Sequence, residues 1–207
     1  MSYSVKEIFY TLQGEGAQMG RPAVFCRFTG CNLWSGREED RADAICQFCD
    51  TDFVGAEAGR FDAEGLADAI ASLWPRRGTG RPYVVCTGGE PLLQLDGALT
   101  RQLHDRGFEV GVETNGTRPR PDGIDWLCVS PKAGTELVLT RGDELKLVFR
   151  QPGAPPERFA GLAFDHFFLQ PMDGPERDVN TVAAIAYCLA NPAWRLGLQM
   201  HKVVGLR

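Results

Sequence analysis

Alternating apolar and polar positions recur along the chain in short runs, separated by stretches with helical spacing, so strands are predicted to alternate with amphipathic helices. Pro22 to Thr29 reads as the first core strand and ends directly at Gly30-Cys31. A helix is predicted from Asp62, suited to an N-cap, to Trp74; Leu66, Ala69, Ile70 and Leu73 share its inner side and Pro75 ends it. Tyr83 to Thr87 predicts a second strand. Pro91 suits the first turn of a helix that carries Leu92, Leu95, Leu99 and Leu103 on one side. Strands follow at 108–114, 126–129, 144–149 and 166–170, then a helix at 178–189 stopped by Asn191-Pro192, and a last strand at 196–200. Val5 to Leu12 reads as a short strand outside this series. Residues 32–45, polar and without periodicity, read as an inserted loop.

The strands at 108–114 and 144–149 are apolar on one face only. Their other face carries Glu109, Gly111 and Glu113, or Glu144 and Lys146. A closed eight-stranded α/β barrel packs its interior with bulky branched side chains. A charged or small inner face predicts instead a wet, open interior that can hold a ligand. At 207 residues the chain is shorter than the ~250 typical of that barrel, so about six βα units are expected. The expected fold is α/β: an incomplete TIM-type barrel forming a single domain over residues 1–207, with an N-terminal extension and an inserted loop at about 30–52.

Hydrophobic residues make up 43% and charged residues 24%, a balance that argues against wholesale disorder. The net charge of −5 offers no general attraction to nucleic acid, and Arg76-Arg77 with Arg81 reads as a solvated loop. No apolar run approaches the ~20 residues that span a bilayer, and Met1 to Glu7 lacks the apolar core of a signal peptide. The expectation is a soluble, cytoplasmic protein without nucleic-acid or membrane partners. In that reducing compartment seven cysteines point to metal binding or catalysis rather than to a disulfide framework.

Cys46-Gln47-Phe48-Cys49 sets two thiolates two residues apart, and Cys31 lies fourteen intervening residues upstream. Zinc in a structural site takes four ligands, so three thiolates favour a centre with an open position, such as an iron–sulfur cluster. A zinc site completed by Cys26, His104, His166 or His201 is the alternative. If Arg27 faces the interior, its strand neighbour Cys26 faces the helices. The signature of a cluster that binds S-adenosylmethionine is Cys-x3-Cys-x-aromatic-Cys, and its second half stands here with Phe48 as the aromatic. Stretching the first half raises the cost of loop closure by roughly 1.4 kcal/mol, which does not forbid the site. Thr87-Gly88-Gly89-Glu90-Pro91 adds a second element at a strand-to-helix junction. Paired glycines admit a ligand to the backbone, helix-opening amides suit a carboxylate, and Glu90 suits an ammonium. A plain turn is the competing reading.

Together these motifs resemble the radical S-adenosylmethionine superfamily. Phe9 to Gly16, Arg27 to Leu33, Glu113 to Gly116, Val129 to Lys132 and Leu169 to Asp173 narrow the resemblance to its 7-carboxy-7-deazaguanine synthase family, over nearly the whole chain. The resemblance implies a lyase of queuosine precursor synthesis in which Cys31, Cys46 and Cys49 hold a 4Fe-4S cluster. S-adenosylmethionine would chelate the fourth iron and be cleaved to a 5′-deoxyadenosyl radical. That radical would take hydrogen from C6 of 6-carboxy-5,6,7,8-tetrahydropterin, which contracts with loss of ammonia. The cofactors carry this chemistry, and no side chain is implied as catalytic.

The S-adenosylmethionine site implied by the matching motifs comprises Phe48, Cys49, Asp50, Gly89, Glu90, Ser130, Lys132, Gln170, Pro171, Met172 and Asp173. Leu12, Gln13, Gly14, Glu15, Arg27 and Thr87 are implied to bind the pterin, with the Arg27 fork on its carboxylate. His201 and the terminal carboxylate of Arg207 are further substrate candidates near the chain's end. Thr51 is implied as a ligand of Mg²⁺. A homodimer and an electron donor such as flavodoxin or ferredoxin complete the expectation.

Plainer readings exist for single residues. Arg27 can pair with Glu109 or Glu113, Lys132 can be a loop lysine and Thr51 can cap a turn. Cys86, Cys128 and Cys188 sit in strand or helix contexts and read as structural. Two rivals stand for the whole chain. A glycyl-radical-enzyme activating enzyme would need a groove for a protein loop, and a non-catalytic zinc-binding module would need a fourth ligand.

Overall fold

The structure, a computed structural model, describes residues 2–75 and 80–206; the Arg76-Arg77 pair lies outside the described residues. Among the described residues nine strands form one open sheet. β1 (Tyr3–Leu12) pairs antiparallel with β2 (Pro22–Phe28) on one side and with the short β3 (Gly59–Phe61) on the other. From β2 onward every pairing is parallel and follows chain order through β4 (Tyr83–Gly88), β5 (Glu109–Thr114), β6 (Trp126–Val129), β7 (Arg141–Phe149), β8 (Ala163–Pro171) and β9 (Trp194–Leu196).

Each parallel pairing needs a crossover that returns the chain to the same end of the sheet. α1 (Ala63–Leu73), α2 (Gly97–Asp105) and α3 (Arg177–Ala190) lie in the crossovers that lead to β4, β5 and β9. The crossovers into β6, β7 and β8 contain no α-helix, so the expectation of about six βα units is corrected: half of the connections are loops or a 3-10 turn. A short terminal helix, α4 (Met200–Val204), follows β9.

Period-two alternation divides the sheet into two unlike faces. Val24, Cys26, Phe28, Val84, Cys86, Val110, Val112, Leu127, Val129, Leu145, Leu147 and Leu169 form one buried core with Leu66, Ala67 and Ile70 of α1, Leu99 and Leu103 of α2 and Ala184 of α3. Cys26 is therefore a small core hydrophobe on the helix side, as its alternation with Arg27 implied. The opposite face carries Phe25, Arg27, Thr87, Glu113, Lys146, Val148 and Gln170, the polar interior expected from the sequence.

Asp62 caps α1, its carboxylate accepting from Gly65 N at 2.8 Å. The helix predicted after Pro91 is not continuous. Pro91–Leu93 is a single 3-10 turn, and α2 starts afresh where Asp96 accepts from Ala98 N and Leu99 N at 3.0 and 3.1 Å. All four leucines of that pattern are buried, so the periodicity located the core but not the break. The last strand is Trp194–Leu196 rather than 196–200, because Met200 already opens α4 with its N–H on Gly14 O at 2.9 Å. Residues 32–45 contain a 3-10 turn at Glu38–Asp43.

Asp96 also accepts a hydrogen bond of 2.6 Å from the hydroxyl of Tyr3, which is 1% exposed, and so ties β1 to α2. Asp96→Ala is expected to cost about 2–4 kcal/mol, one part from the lost cap and one from the stranded buried hydroxyl. Asp96→Asn, which keeps an acceptor, should recover most of it. Urea titration of the two variants checks this.

Candidate active site

The carboxyl ends of the parallel strands open into one cavity of ≈ 440 Å³, where open α/β sheets bind their ligands. Its floor is the polar face of the sheet. Lys146 on β7, 5% exposed, donates to Glu15 at 2.5 Å and to Glu113 on β5 at 3.3 Å. Gln13 donates to Glu113 at 3.0 Å and accepts from Glu15 N at 3.1 Å. Gln170 and Gln199 donate to Glu15 at 3.3 and 3.0 Å, and Thr87 donates to Glu113 at 3.4 Å.

Burial presses the pKa of Lys146 down, but the surrounding Glu113, Glu15, Cys128 and Glu144 hold it well above its ordinary value. Burial likewise pushes the Glu15 carboxyl up, and Lys146 overrides this and draws it down to about 2. The floor thus keeps an ammonium and an ionised carboxylate. Beneath it, burial raises Glu144, which accepts from Ala17 N at 2.8 Å and from the Cys128 thiol at 3.4 Å. Arg27 pairs with neither Glu109 nor Glu113. Its Nε donates to Glu7 at 2.8 Å, while Arg21 grips Glu109 with two hydrogen bonds of 2.9 Å.

Cys31, Cys46 and Cys49, all free thiols, line the same cavity. Burial raises the thiols of Cys31 and Cys46. Leu33 N donates to Cys31 Sγ at 3.4 Å. Among the described residues no three His, Cys, Asp or Glu side chains converge on a single metal ion. The three thiols are the soft, all-sulfur donor set that an iron–sulfur cluster takes.

Between floor and thiols runs the glycine edge. A Cβ on Gly88 would lie 2.2 Å from Phe28 O, and one on Gly89 would lie 2.1 Å from Gly30 O, so only glycine lets β4 pass this close to β2. The amides of Gly89 and Glu90 are occupied by Phe28 O and Gly30 O at 3.3 and 2.9 Å. The reading that these amides receive a carboxylate is therefore corrected. Glu90 is also turned away: it is fully buried, does not line the cavity, and accepts from Leu92 N, Thr114 Oγ1 and Asn115 N at 2.7–2.9 Å. Its carboxyl, raised by burial and opposed by those donors, braces the strand ends.

The other residues expected at the site that are described all reach the cavity wall: Leu12, Gln13, Gly14, Glu15, Arg27, Phe48, Asp50, Thr51, Thr87, Ser130, Lys132, Gln170, Pro171, Met172, Asp173 and His201. Arg207 lies outside the described residues. Lys132 donates to Ser130 O and Oγ at 2.6 and 2.7 Å, and burial lowers its ammonium. Gln170 joins the floor through Glu15, and its Oε1 is a buried acceptor without a partner among the described residues. Lys146, Asn115, Gln199 and Lys202 were not expected there. For Lys146 the signal was its place opposite Glu113 on the polar face. Lys202 shows none in the sequence; it joins Asp50 and Asp173, so α4 straps the cavity's rim.

No protein-family model matches the chain. The 7-carboxy-7-deazaguanine synthases of Bordetella pertussis and Bradyrhizobium diazoefficiens are 64% and 65% identical to it, each over the full length of both chains. The crystal structure of QueE from Escherichia coli superposes with a TM-score of 0.74 at 31% identity, covering 97% of this chain and 95% of that one.

The Glu15 carboxyl is depressed from 4.5, so its ionised form stabilises the fold above about pH 4.5 and loses that contribution as pH falls toward 2. Lys146→Met should cost about 3–5 kcal/mol near neutrality by stranding buried carboxylates, and that loss should shrink as falling pH protonates them. Adding Glu15→Gln to that variant should recover part of the loss at neutral pH and flatten its pH dependence. Denaturant titrations from pH 3 to 8 read the two effects.

Proposed function

The chain belongs to the 7-carboxy-7-deazaguanine synthase family, and we propose that its cavity is where the pterin substrate and S-adenosylmethionine meet. The protein is an enzyme of queuosine precursor synthesis that converts 6-carboxy-5,6,7,8-tetrahydropterin to 7-carboxy-7-deazaguanine with loss of ammonia. What carries our reading of the site is that three free thiols and a paired polar floor line one and the same cavity. Cys31, Cys46 and Cys49 would hold a 4Fe-4S cluster, which would supply one-electron reduction of S-adenosylmethionine.

The chain's own residues bind, orient and exclude water. Gly88 and Gly89 offer a wall without side chains, against which the methionyl end packs. Phe48 takes the adenine, while Ser130, Lys132 and the 170–173 segment hold the remainder of that cofactor. Gln13 and the ionised Glu15 read the N–H and amino groups of the pterin's pyrimidine edge. Arg27 pairs the substrate carboxylate in a geometry its planar fork favours. Thr51, on the same rim, would contribute a hard hydroxyl to Mg²⁺. Gln199, His201 and Lys202 cover the opening. The singly wound sheet is read as an incomplete barrel. The same reading expects a homodimer, a cytoplasmic location and a flavodoxin- or ferredoxin-like electron donor.

Anaerobically reconstituted protein, reduced with dithionite and given S-adenosylmethionine and the carboxypterin, should release 5′-deoxyadenosine and a deazapurine; absence of both sinks the assignment of the cavity. Arg27→Gln should raise the KM for the pterin roughly 10- to 100-fold, the worth of a charge-assisted hydrogen bond. Substrate-independent cleavage of S-adenosylmethionine should survive that change. Mg²⁺ should stimulate turnover of the parent enzyme, and less so of Thr51→Ala.

A further inference from the structure

The arms that carry the three thiols are held in different ways. Cys31 lies three residues past the end of β2, directly after Gly30, and the next residue, Asn32, is pinned by Asn115 at 3.0 Å and reaches Thr117 at 2.9 Å. Cys46 and Cys49 lie on no strand or helix. Their backbone is gathered by the inserted segment itself. Arg41, in the 3-10 turn at Glu38–Asp43, donates Nη1 to Gln47 O at 2.9 Å and to Cys49 O at 3.0 Å, the carbonyls that flank Phe48. Its Nε is fixed by Glu38 at 2.8 Å, and its guanidinium lies over the Trp34 ring at 4.1 Å. Trp34 is anchored in turn by an edge contact with Phe53, which is 1% exposed, and by donating to Arg37 O at 3.0 Å. Leu33 O receives the amide of Cys46 at 3.3 Å and closes the loop beside Cys31.

The geometry points to Arg41 as a positioning residue that presets the Cys46–Cys49 arm, so that the insertion works as a scaffold for cluster binding rather than as a tether. This rests on the cluster reading above. A guanidinium suits the task because one rigid fork satisfies several acceptors and stacks on an indole at the same time. Groups that support metal ligands in this way commonly change metal retention 10- to 100-fold when removed.

The test compares Arg41→Met, which keeps an apolar stem on Trp34 but no donors, with Arg41→Lys and with Arg37→Ala as a surface control. The parent protein and all variants are reconstituted anaerobically with iron and sulfide. Iron stoichiometry, the rate of iron release to a ferrous chelator, and the reduced-state EPR spectrum with and without S-adenosylmethionine are recorded. The metal-free proteins are also melted. Arg41→Met should release iron roughly 10- to 100-fold faster than the parent and show an altered EPR response to S-adenosylmethionine, with metal-free melting unchanged. Arg41→Lys should restore part of the retention, and Arg37→Ala should match the parent. Parent-like iron release and EPR from Arg41→Met overturn the role of Arg41 alone. A parent protein that binds no iron overturns the cluster reading and the role of Arg41 with it.

Discussion

A parallel sheet wound in one direction has to fill its two faces by different means. Here the helices and apolar strand positions close one face, and the other is left to side chains and ligand. That second face is polar, and buried polar groups are tolerated only when each finds a partner. Lys146 meets this constraint: a single ammonium answers Glu15 and Glu113, and through them Gln13, Gln170, Gln199 and Thr87 are held in place. Without that charge the floor would be a set of repelling carboxylates, and the residues proposed to read the pterin would have no fixed orientation. The pairing therefore shapes the fold and the site together.

The two-faced character of the sheet was legible because alternation survives in single strands. Glu109-Val110-Gly111-Val112-Glu113 announces one apolar and one polar side without reference to any other part of the chain. Asp62 was legible as a cap for the same reason, since its partner lies three residues on. The break between Pro91 and Gly97 was not, because Leu92, Leu95, Leu99 and Leu103 are all buried and satisfy a continuous helix as well as an interrupted one. What separates the alternatives is Asp96, whose carboxylate serves α2 and Tyr3 at once, and Tyr3 is distant in sequence.

The same distinction between local and distant partners accounts for Glu90. Beside two glycines it suggests a counter-charge for an amino group, and nothing nearby in the sequence contradicts this. Thr114 and Asn115, at the end of a different strand, occupy its oxygens. The glycine pair is likewise fixed by Phe28 at the end of β2 and by Gly30 just beyond it. A motif that looks like a ligand cradle is thus also the joint that holds β2, β4 and β5 together at the mouth of the cavity. Neither role excludes the other: a brace at that point fixes the wall against which a ligand packs.

The fourteen residues between Cys31 and Cys46 show how such bracing extends beyond the sheet. A flexible loop of that length would cost little more to close than a short one, yet it would leave the two arms free to separate. Trp34, Phe53 and Arg41 remove that freedom before any ligand arrives, and they do so with a ring, a core contact and carbonyl hydrogen bonds, none of which has a periodic signature. The segment reads as featureless in sequence because its order depends on side chains meeting backbone rather than on repeating backbone pairing. The thiols sit where that ordered loop and the ends of the parallel strands meet. Placing them in the cavity that the Lys146 floor also lines requires both, since the sheet positions Cys31 and the loop positions Cys46 and Cys49.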